Sequence, residues 1–257
     1  MSAQSPSGER FALESWRWSD VSVADAKQLA HARAQELAAR VRQGETLNRY
    51  SYGTRPAREE IIRGIPSAGG EVGIITRNPY GALVLNAPQA MFIDIDFPSG
   101  KTAAPELQRT LNDIEKWWTQ NSGLGLRVYR TYGGLRVLVM NELFDPTQER
   151  GLAIMRELHA DPLYITLCKA QECFRARLSP KPWRCNADKP PSRYPFANAR
   201  AEGEYRAWER QYQAAASRYA VCQLLVQFGR ADVHPGVLPV IQAHDAACLS
   251  NRPMPLA

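Results

Sequence analysis

The segment Met91–Pro98 constrains the fold of this chain more than any other stretch. It reads Met-Phe-Ile-Asp-Ile-Asp-Phe-Pro, an apolar run typical of a buried strand, interrupted by two acids. Because side chains alternate along a strand, Asp94 and Asp96 share one face while Ile93 and Ile95 share the other. Two adjacent carboxylates are costly to bury without a partner. That partner is either a divalent cation such as Mg²⁺ or Mn²⁺, or arginine.

The segments that follow this strand predict an α/β protein of the α+β kind, with its core in residues 88–185. Hydrophobic periodicity and turn residues predict, after the aspartate strand, the helix Pro105–Gln120, the strands Leu126–Thr131 and Leu135–Met140, a helix opened by Asp145-Pro146, and the strand Cys173–Leu178. This β-α-β-β-α-β order is the split βαβ arrangement of palm and RRM-like antiparallel sheets. Its first strand is central, so we expect Asp94 between the strand of Arg136 and the strand of Arg175 and Arg177.

Segments on either side of this core predict an N-terminal extension and a C-terminal helix. In residues 1–87, Ser22 can cap a helix that runs to Gln43 and ends at Gly44. Two short apolar runs, Val72–Ile75 and Ala82–Leu85, flank turn residues and predict a β-hairpin. Residues 186–257 begin with a polar, proline-rich stretch, and an apolar stripe at helical spacing then predicts one helix from Glu204 to Phe228.

Composition narrows the compartment and the class of partner. The 257 residues carry a formal net charge of +6, which suits a polyanionic partner. No apolar stretch reaches the length of a membrane span, and Met1–Arg10 lacks the apolar core of a signal peptide, so we expect a cytoplasmic protein away from membranes. The five cysteines are odd in number and scattered, and disulfides are not expected.

The hairpin Arg130–Val139 carries a resemblance when it is taken with the aspartate strand. Asp-x-Asp on a strand, then a helix, then a Thr-x-Gly-Gly turn leading into a strand is similar to the palm of the archaeo-eukaryotic primase (primase-polymerase) superfamily. The resemblance covers the middle third of the chain. It implies metal-dependent nucleotidyl transfer, with Mg²⁺ or Mn²⁺ at Asp94 and Asp96 and nucleotide phosphate near Thr131 to Arg136. Arg136 stands where that family has a histidine.

A second resemblance, to diguanylate-cyclase domains, rests on a strand acid followed by a Gly-Gly hairpin. Here the hairpin reads Gly133-Gly134-Leu135-Arg136-Val137 and lacks the two acids of that family. Both resemblances imply a palm-like sheet that handles nucleotides. Cyclase activity is not expected without those acids, and the predicted catalytic residues are Asp94, Asp96 and Arg136.

Phosphate recognition needs glycine turns and cations, and the same region offers both. Gly133 and Gly134 can adopt the positive φ of a tight hairpin. Arginine binds pairs of phosphate oxygens with its planar fork, and a tryptophan between cations can stack a base. The predicted phosphate- or nucleotide-binding residues are Thr131, Gly133, Gly134, Arg175, Arg177, Lys181, Trp183 and Arg184. The alternative for the arginines is a structural ion cluster around the two aspartates.

Cys168, Cys173 and Cys185, with His159 upstream, are candidate ligands for a zinc site. The spacing is irregular and lacks a Cys-x₂-Cys knuckle, so ordinary buried thiols are the favoured interpretation.

Three hypotheses about function remain open on the sequence alone. The first is a nucleotide- or nucleic-acid-handling protein of primase-polymerase type, acting on nucleotides or single-stranded DNA or RNA. The second is a catalytically inactive module that binds phosphate through arginine. The third is a structural or partner-binding protein. A two-metal reaction needs about three carboxylates, and the third is open among Glu172, Asp188, Asp145 and Asp161.

Overall fold

The structure is a computed structural model that describes residues 1–13, 15, 22–45, 59–98, 104–229, 232–250 and 252–257. The chain divides into two compact units, Met1–Ser51 and Tyr52–Ala257. Both predicted domain boundaries, at residues 87 and 185, therefore fall inside the second unit. The described residues contain six α-helices and ten strands, and all strand pairs are antiparallel, which confirms the mixed α+β class.

The first unit pairs a small hairpin with one helix. Strands β1 (Ser2–Gln4) and β2 (Arg10–Ala12) are antiparallel partners, and α1 spans Val23–Arg42. The predicted cap is confirmed, because the Ser22 hydroxyl accepts a hydrogen bond from the Asp25 backbone N–H at 3.1 Å. Gly44 follows the helix with φ +81°, a conformation that favours glycine.

The second unit contains two four-stranded sheets. We call the first the hairpin sheet; its order is β3-β4-β5-β9, from Glu60–Ser67, Gly70–Arg77, Leu83–Ala87 and Phe174–Arg177. We call the second the aspartate sheet; its order is β10-β7-β8-β6, from Cys222–Phe228, Leu126–Thr131, Gly134–Val139 and Phe92–Asp96. The remaining helices are α2 (Ala104–Gln120), α3 (Glu149–Glu157), α4 (Pro162–Gln171), α5 (Ala199–Ala216) and α6 (Leu238–Cys248), with a 3-10 turn at Pro182–Arg184.

The predicted β-α-β-β-α-β order along the chain is present, but the predicted position of the Asp94 strand was wrong. Strand β6 is an edge strand of the aspartate sheet, and β9 pairs with β5 in the hairpin sheet instead. The two strands still lie side by side, since the Tyr164 hydroxyl donates to the carbonyls of Phe92 and Arg175 at 3.0 Å each. The backbone groups of β9 are already hydrogen-bonded to β5. The Tyr164 hydroxyl therefore links β9 to β6 in place of a ladder of backbone hydrogen bonds.

The predicted C-terminal helix was wrong in its second half. Helix α5 ends at Ala216, and Cys222–Phe228 forms β10 on the outer edge of β7. Segments rich in Tyr, Val and Leu suit a strand as well as a helix. The open edge of β7 decides between the two, because β10 satisfies backbone groups there that a continued helix would leave unpaired.

Candidate phosphate and metal site

The alternation along β6 places the two aspartates as predicted. Ile93 and Ile95 are buried in the main core. Phe92, on the other face, has its ring centroid 5.3 Å from the ring of His244 on α6. Asp94 and Asp96 therefore follow Phe92 along the face that α6 covers at one end. The two aspartates lie at the other end of this face, near the segment that follows β9.

Arg136 is held directly opposite Asp94, its register partner on β8. Its Nε donates to Asp94 Oδ1 at 3.2 Å and its Nη1 donates to the Arg177 carbonyl at 3.0 Å. The side chain is 1% exposed. Burial opposes its charge, but the surrounding anionic groups, led by Asp94, outweigh burial and raise the pKa of Arg136. Arg136 therefore neutralises one oxygen of Asp94 and positions it.

Asp96 differs from Asp94 because it forms no ion pair with any residue that the structure describes. It is exposed, and its pKa is raised, first by partial burial and then by the charges of Asp94 and Asp161. Asp161 caps α4, with Oδ1 accepting from the Leu163 N–H at 3.0 Å, and its own N–H donates to the Asp94 carbonyl at 2.9 Å. Asp161 is thus the acid that the structure brings near the pair, although no three carboxylates of the described residues converge within 4.8 Å.

Three cations lie at the end of β9 and in the segment that follows it: Arg177, Lys181 and Arg184. We call them the basic wall. Burial and then the charge of Arg136 lower the pKa of Arg177 to about 10, and burial and then Arg177 lower that of Lys181 to about 8. Burial also lowers the pKa of Arg184. Arg177 forms no ion pair with any described residue, and its Nε is buried without a hydrogen-bond partner. Positive charge here exceeds what the nearby acids neutralise.

Aromatic rings support the outer part of the basic wall. The Arg184 guanidinium lies 4.1 Å from the ring centroid of Tyr132, and Lys181 Nζ lies 5.6 Å from that of Trp183. Trp183 is 48% exposed and packs against Tyr80 in a T-shaped arrangement, with 5.3 Å between ring centroids. Trp183 is therefore a partly exposed aromatic ring beside a cation.

The predicted glycine turn serves packing. A Cβ on Gly134 would lie 1.8 Å from the Ile95 carbonyl oxygen, so only glycine fits between β8 and β6. Gly134 does not have the positive φ that we expected. The Gly133 carbonyl accepts from the Phe97 N–H at 2.8 Å, and Thr131 is 8% exposed. These contacts fix the position of the turn next to Asp96.

Arg175 lies apart from the other predicted phosphate ligands. Its Nη2 donates to both carboxylate oxygens of Glu59, at 2.8 Å each. The two residues line a cavity of about 690 Å³ on the hairpin sheet, together with Thr76 and Asn86. Of the two β9 arginines, only Arg177 acts electrostatically on Asp96.

The cysteines form a cluster that sequence reasoning did not find. Among the described residues, the only His/Cys/Asp/Glu group within metal-binding distance is Cys222, His244 and Cys248; none of the four residues weighed for zinc belongs to it. His244 and Cys248 are four residues apart on α6, which was the only local signal. Their partner comes from β10, a segment that was predicted to be helical. Each of the five cysteines, all within the described residues, is a free thiol.

Comparisons with protein-family models, with curated proteins and with solved structures each gave no match. No helix among the described residues is long and apolar enough to cross a membrane. The function therefore has to be argued from the geometry of the site.

Proposed function

We propose that the face bearing Asp94, Asp96 and the basic wall binds the phosphate groups of a nucleotide together with a divalent cation. The observation that carries the proposal is the positive charge of Arg177, Lys181 and Arg184, which the nearby Asp94 and Asp96 balance only in part. Burial and mutual repulsion disfavour these charges, and Arg177 has no carboxylate partner among the described residues. A phosphate chain would supply the missing negative charge through charge-assisted hydrogen bonds.

The acids beside this wall fit a divalent cation. Asp94 gives Oδ1 to Arg136, and the ionised form of Asp96 is disfavoured by its acidic neighbours. Mg²⁺ is commonly held by one or two carboxylates, with substrate phosphates completing its shell. Asp94 and Asp96 would hold it, and Asp161, whose charge helps to raise the pKa of Asp96, is the candidate for a third carboxylate. When bound, the cation would neutralise phosphate charge.

Nucleotidyl transfer is the reaction that this combination supports best. It requires little covalent chemistry from the protein and depends on positioning and electrostatic stabilisation. Arg136 would keep Asp94 oriented, the basic wall would hold the phosphates, and Trp183 would support a base. The resemblance to the primase-polymerase superfamily points to the same chemistry, and the free thiols suit a reducing cytoplasm.

The second candidate is a phosphate-binding module without transfer activity. Two observations favour it: Arg136 occupies the position of the family histidine, and no three carboxylates of the described residues converge within 4.8 Å. It uses the same basic wall and differs only in whether a bond is broken. A purely structural protein would leave the wall without a role.

Thermal stability with nucleoside triphosphates, measured with and without Mn²⁺, tests binding. At a ligand concentration 100 times Kd, we expect stabilisation by about 2.7 kcal/mol. Replacing Lys181 with Gln should weaken binding about tenfold or more, since a hydrogen bond to a charged group contributes about 1.5–3 kcal/mol. Lys169→Gln, an exposed lysine on α4, is the matched control. Equal affinity in both variants would refute the proposal.

Extension of a labelled primer on a single-stranded template, with Mn²⁺ present, separates the two candidates. Product that disappears in Asp96→Asn establishes transfer. Binding without product under the same conditions establishes the binding module.

A further inference from the structure

Cys222, His244 and Cys248 lie next to Arg136. Their ligand atoms are all within 4.8 Å of one another, and all three residues are buried. His244 Nε2 is 3.3 Å from Arg136 Nη1, so the cluster adjoins the candidate site through the guanidinium that also bonds to Asp94. Nothing in the proposed function uses these three side chains.

The histidine is oriented as metal-binding histidines are. Its Nδ1 is 2.9 Å from Asp245 Oδ1, which fixes the ring and leaves Nε2 toward the thiols. Asp245 is itself held by Arg127 Nη2 at 2.6 Å and by the Tyr129 hydroxyl at 2.9 Å. A carboxylate that orients a histidine in this way recurs behind zinc ligands.

The two thiols come from different elements and are fixed independently. Cys248 is four residues after His244, so both side chains lie on one face of α6. Cys222 begins β10, and the neighbouring Val221 N–H donates to the Cys248 carbonyl at 3.2 Å. The backbones that carry the two thiols are thereby tied together, which brings both sulfurs to the same point without a disulfide.

We propose that Cys222, His244 and Cys248 form a binding site for Zn²⁺ or a similarly thiophilic divalent metal, with a fourth position left for water. A tetrahedral Zn²⁺ with Zn–S near 2.3 Å and Zn–N near 2.0–2.1 Å needs its donor atoms roughly 3.3–3.8 Å apart. Donors already within 4.8 Å need only side-chain rotation to reach that spacing. Mg²⁺ and Ca²⁺ prefer oxygen ligands, so the two sulfur ligands would select against them.

Charge favours this site despite the neighbouring guanidinium. Metal binding releases the thiol protons, and the two thiolates cancel the charge of the metal, so Arg136 gains no net positive neighbour. Arg136 keeps its bonds to Asp94 and to the Arg177 carbonyl when Nε2 turns to a metal. Cys248 also lines a cleft of about 320 Å³, which offers a route of entry.

Titration of the reduced protein with Co²⁺ alone tests this site. We expect one equivalent to bind with thiolate-to-cobalt charge-transfer absorption and the visible bands of a tetrahedral complex, and Zn²⁺ to displace it. Cys222→Ser and Cys248→Ser should each reduce the charge-transfer absorption by half or more. Cys168→Ser, which removes another buried thiol, should leave it unchanged. Absence of a stoichiometric charge-transfer band in the wild type would overturn the proposal.

A second measurement uses only the wild type, in case the serine variants do not fold. The five cysteines are alkylated with and without Zn²⁺ in mild denaturant, and the modified positions are located by mass spectrometry. Zn²⁺ should slow modification of Cys222 and Cys248 and leave Cys168, Cys173 and Cys185 unaffected. Equal protection of all five, or none, would contradict the site. Nucleotide binding is measured separately, so either proposal can fail without the other.

Discussion

The glutamate-paired arginines of the hairpin sheet and the basic wall at the end of β9 differ in how their charges are balanced. Arg175 donates to both oxygens of Glu59, and Arg77 bonds to Glu209 and lies 3.6 Å from Glu60. The basic wall, which begins with Arg177 at the end of β9, has no ion pair with any described residue. An arginine that is ion-paired to a carboxylate contributes to the stability of the fold. Neighbouring cations without an ion pair can instead bind an anionic ligand.

Removing one member of a buried arginine–glutamate pair should strongly destabilise the fold. Glu59 is 6% exposed and Arg175 12%, so Glu59→Gln leaves a buried cation without its counter-charge. We expect a loss of about 3–5 kcal/mol in the free energy of unfolding, measured by denaturant titration. Glu204→Gln, which breaks an exposed pair with Arg200 on α5, should cost about 0.5 kcal/mol. A similar small loss for Glu59→Gln would remove the distinction between the glutamate-paired arginines and the basic wall.

Substitution of the two aspartates should also have unequal effects on the stability of the fold. Asp94→Asn removes the charge opposite Arg136, and since Asp94 is 30% exposed and an amide oxygen can still accept, we expect a loss of about 2–3 kcal/mol. Asp96→Asn should change stability by no more than about 0.5 kcal/mol, because the ionised Asp96 is already disfavoured in the fold. Denaturant titration measures both.

Both substitutions should abolish the added stability that Mn²⁺ gives. If Asp96→Asn retains the full effect of Mn²⁺, the cation does not bind at this pair. If Asp94→Asn loses stability while the wild type shows no response to Mn²⁺, the pair of Asp94 and Arg136 is structural only.

The basic wall should also bind single-stranded DNA or RNA with little sequence preference. Trp183→Ala should weaken binding by about 1–3 kcal/mol if the indole stacks on a base. Fluorescence anisotropy across a salt series should give a log–log slope of about −0.7 per phosphate contact. Tyr194→Ala removes another exposed aromatic residue, one that packs on Phe196, and serves as control. A flat salt dependence would mean that the wall does not meet phosphates.

The pH dependence of nucleotide binding should report on Lys181. Its pKa is lowered to about 8 by burial and by Arg177 and Arg184, against the opposing charges of Asp96 and Asp94. The negative charge of a bound phosphate favours the protonated, cationic form of Lys181 and therefore raises its pKa. Above pH 8, where Lys181 of the free protein is largely neutral, binding then takes up a proton. Affinity should therefore fall as pH rises past 8, by up to about tenfold per pH unit. Calorimetry at pH 7 and pH 9 measures this, and Lys181→Gln should abolish the fall.

Local patterns predicted many elements correctly and missed those that depend on distant partners. The cap at Ser22, the helix α2 and the hairpin of β7 and β8 all follow from signals within a few residues. Strand β3 was not predicted, because Gly64 and Pro66 argue against a strand. It forms along β4 with two register shifts, one of which lies at Pro66.

The candidate site divides along the same line. Sequence alone determined that Asp94 and Asp96 share a face, because alternation is a property of the extended backbone, and that cations follow β9. Only the tertiary structure decided which cation meets which acid. Arg175 and Arg177 are two residues apart, yet one is held by Glu59 and the other lies near Asp96. Cys222 meets α6 because β10 fills the open edge of β7. Such encounters depend on backbone groups that must find partners across the whole chain, and no local pattern records them.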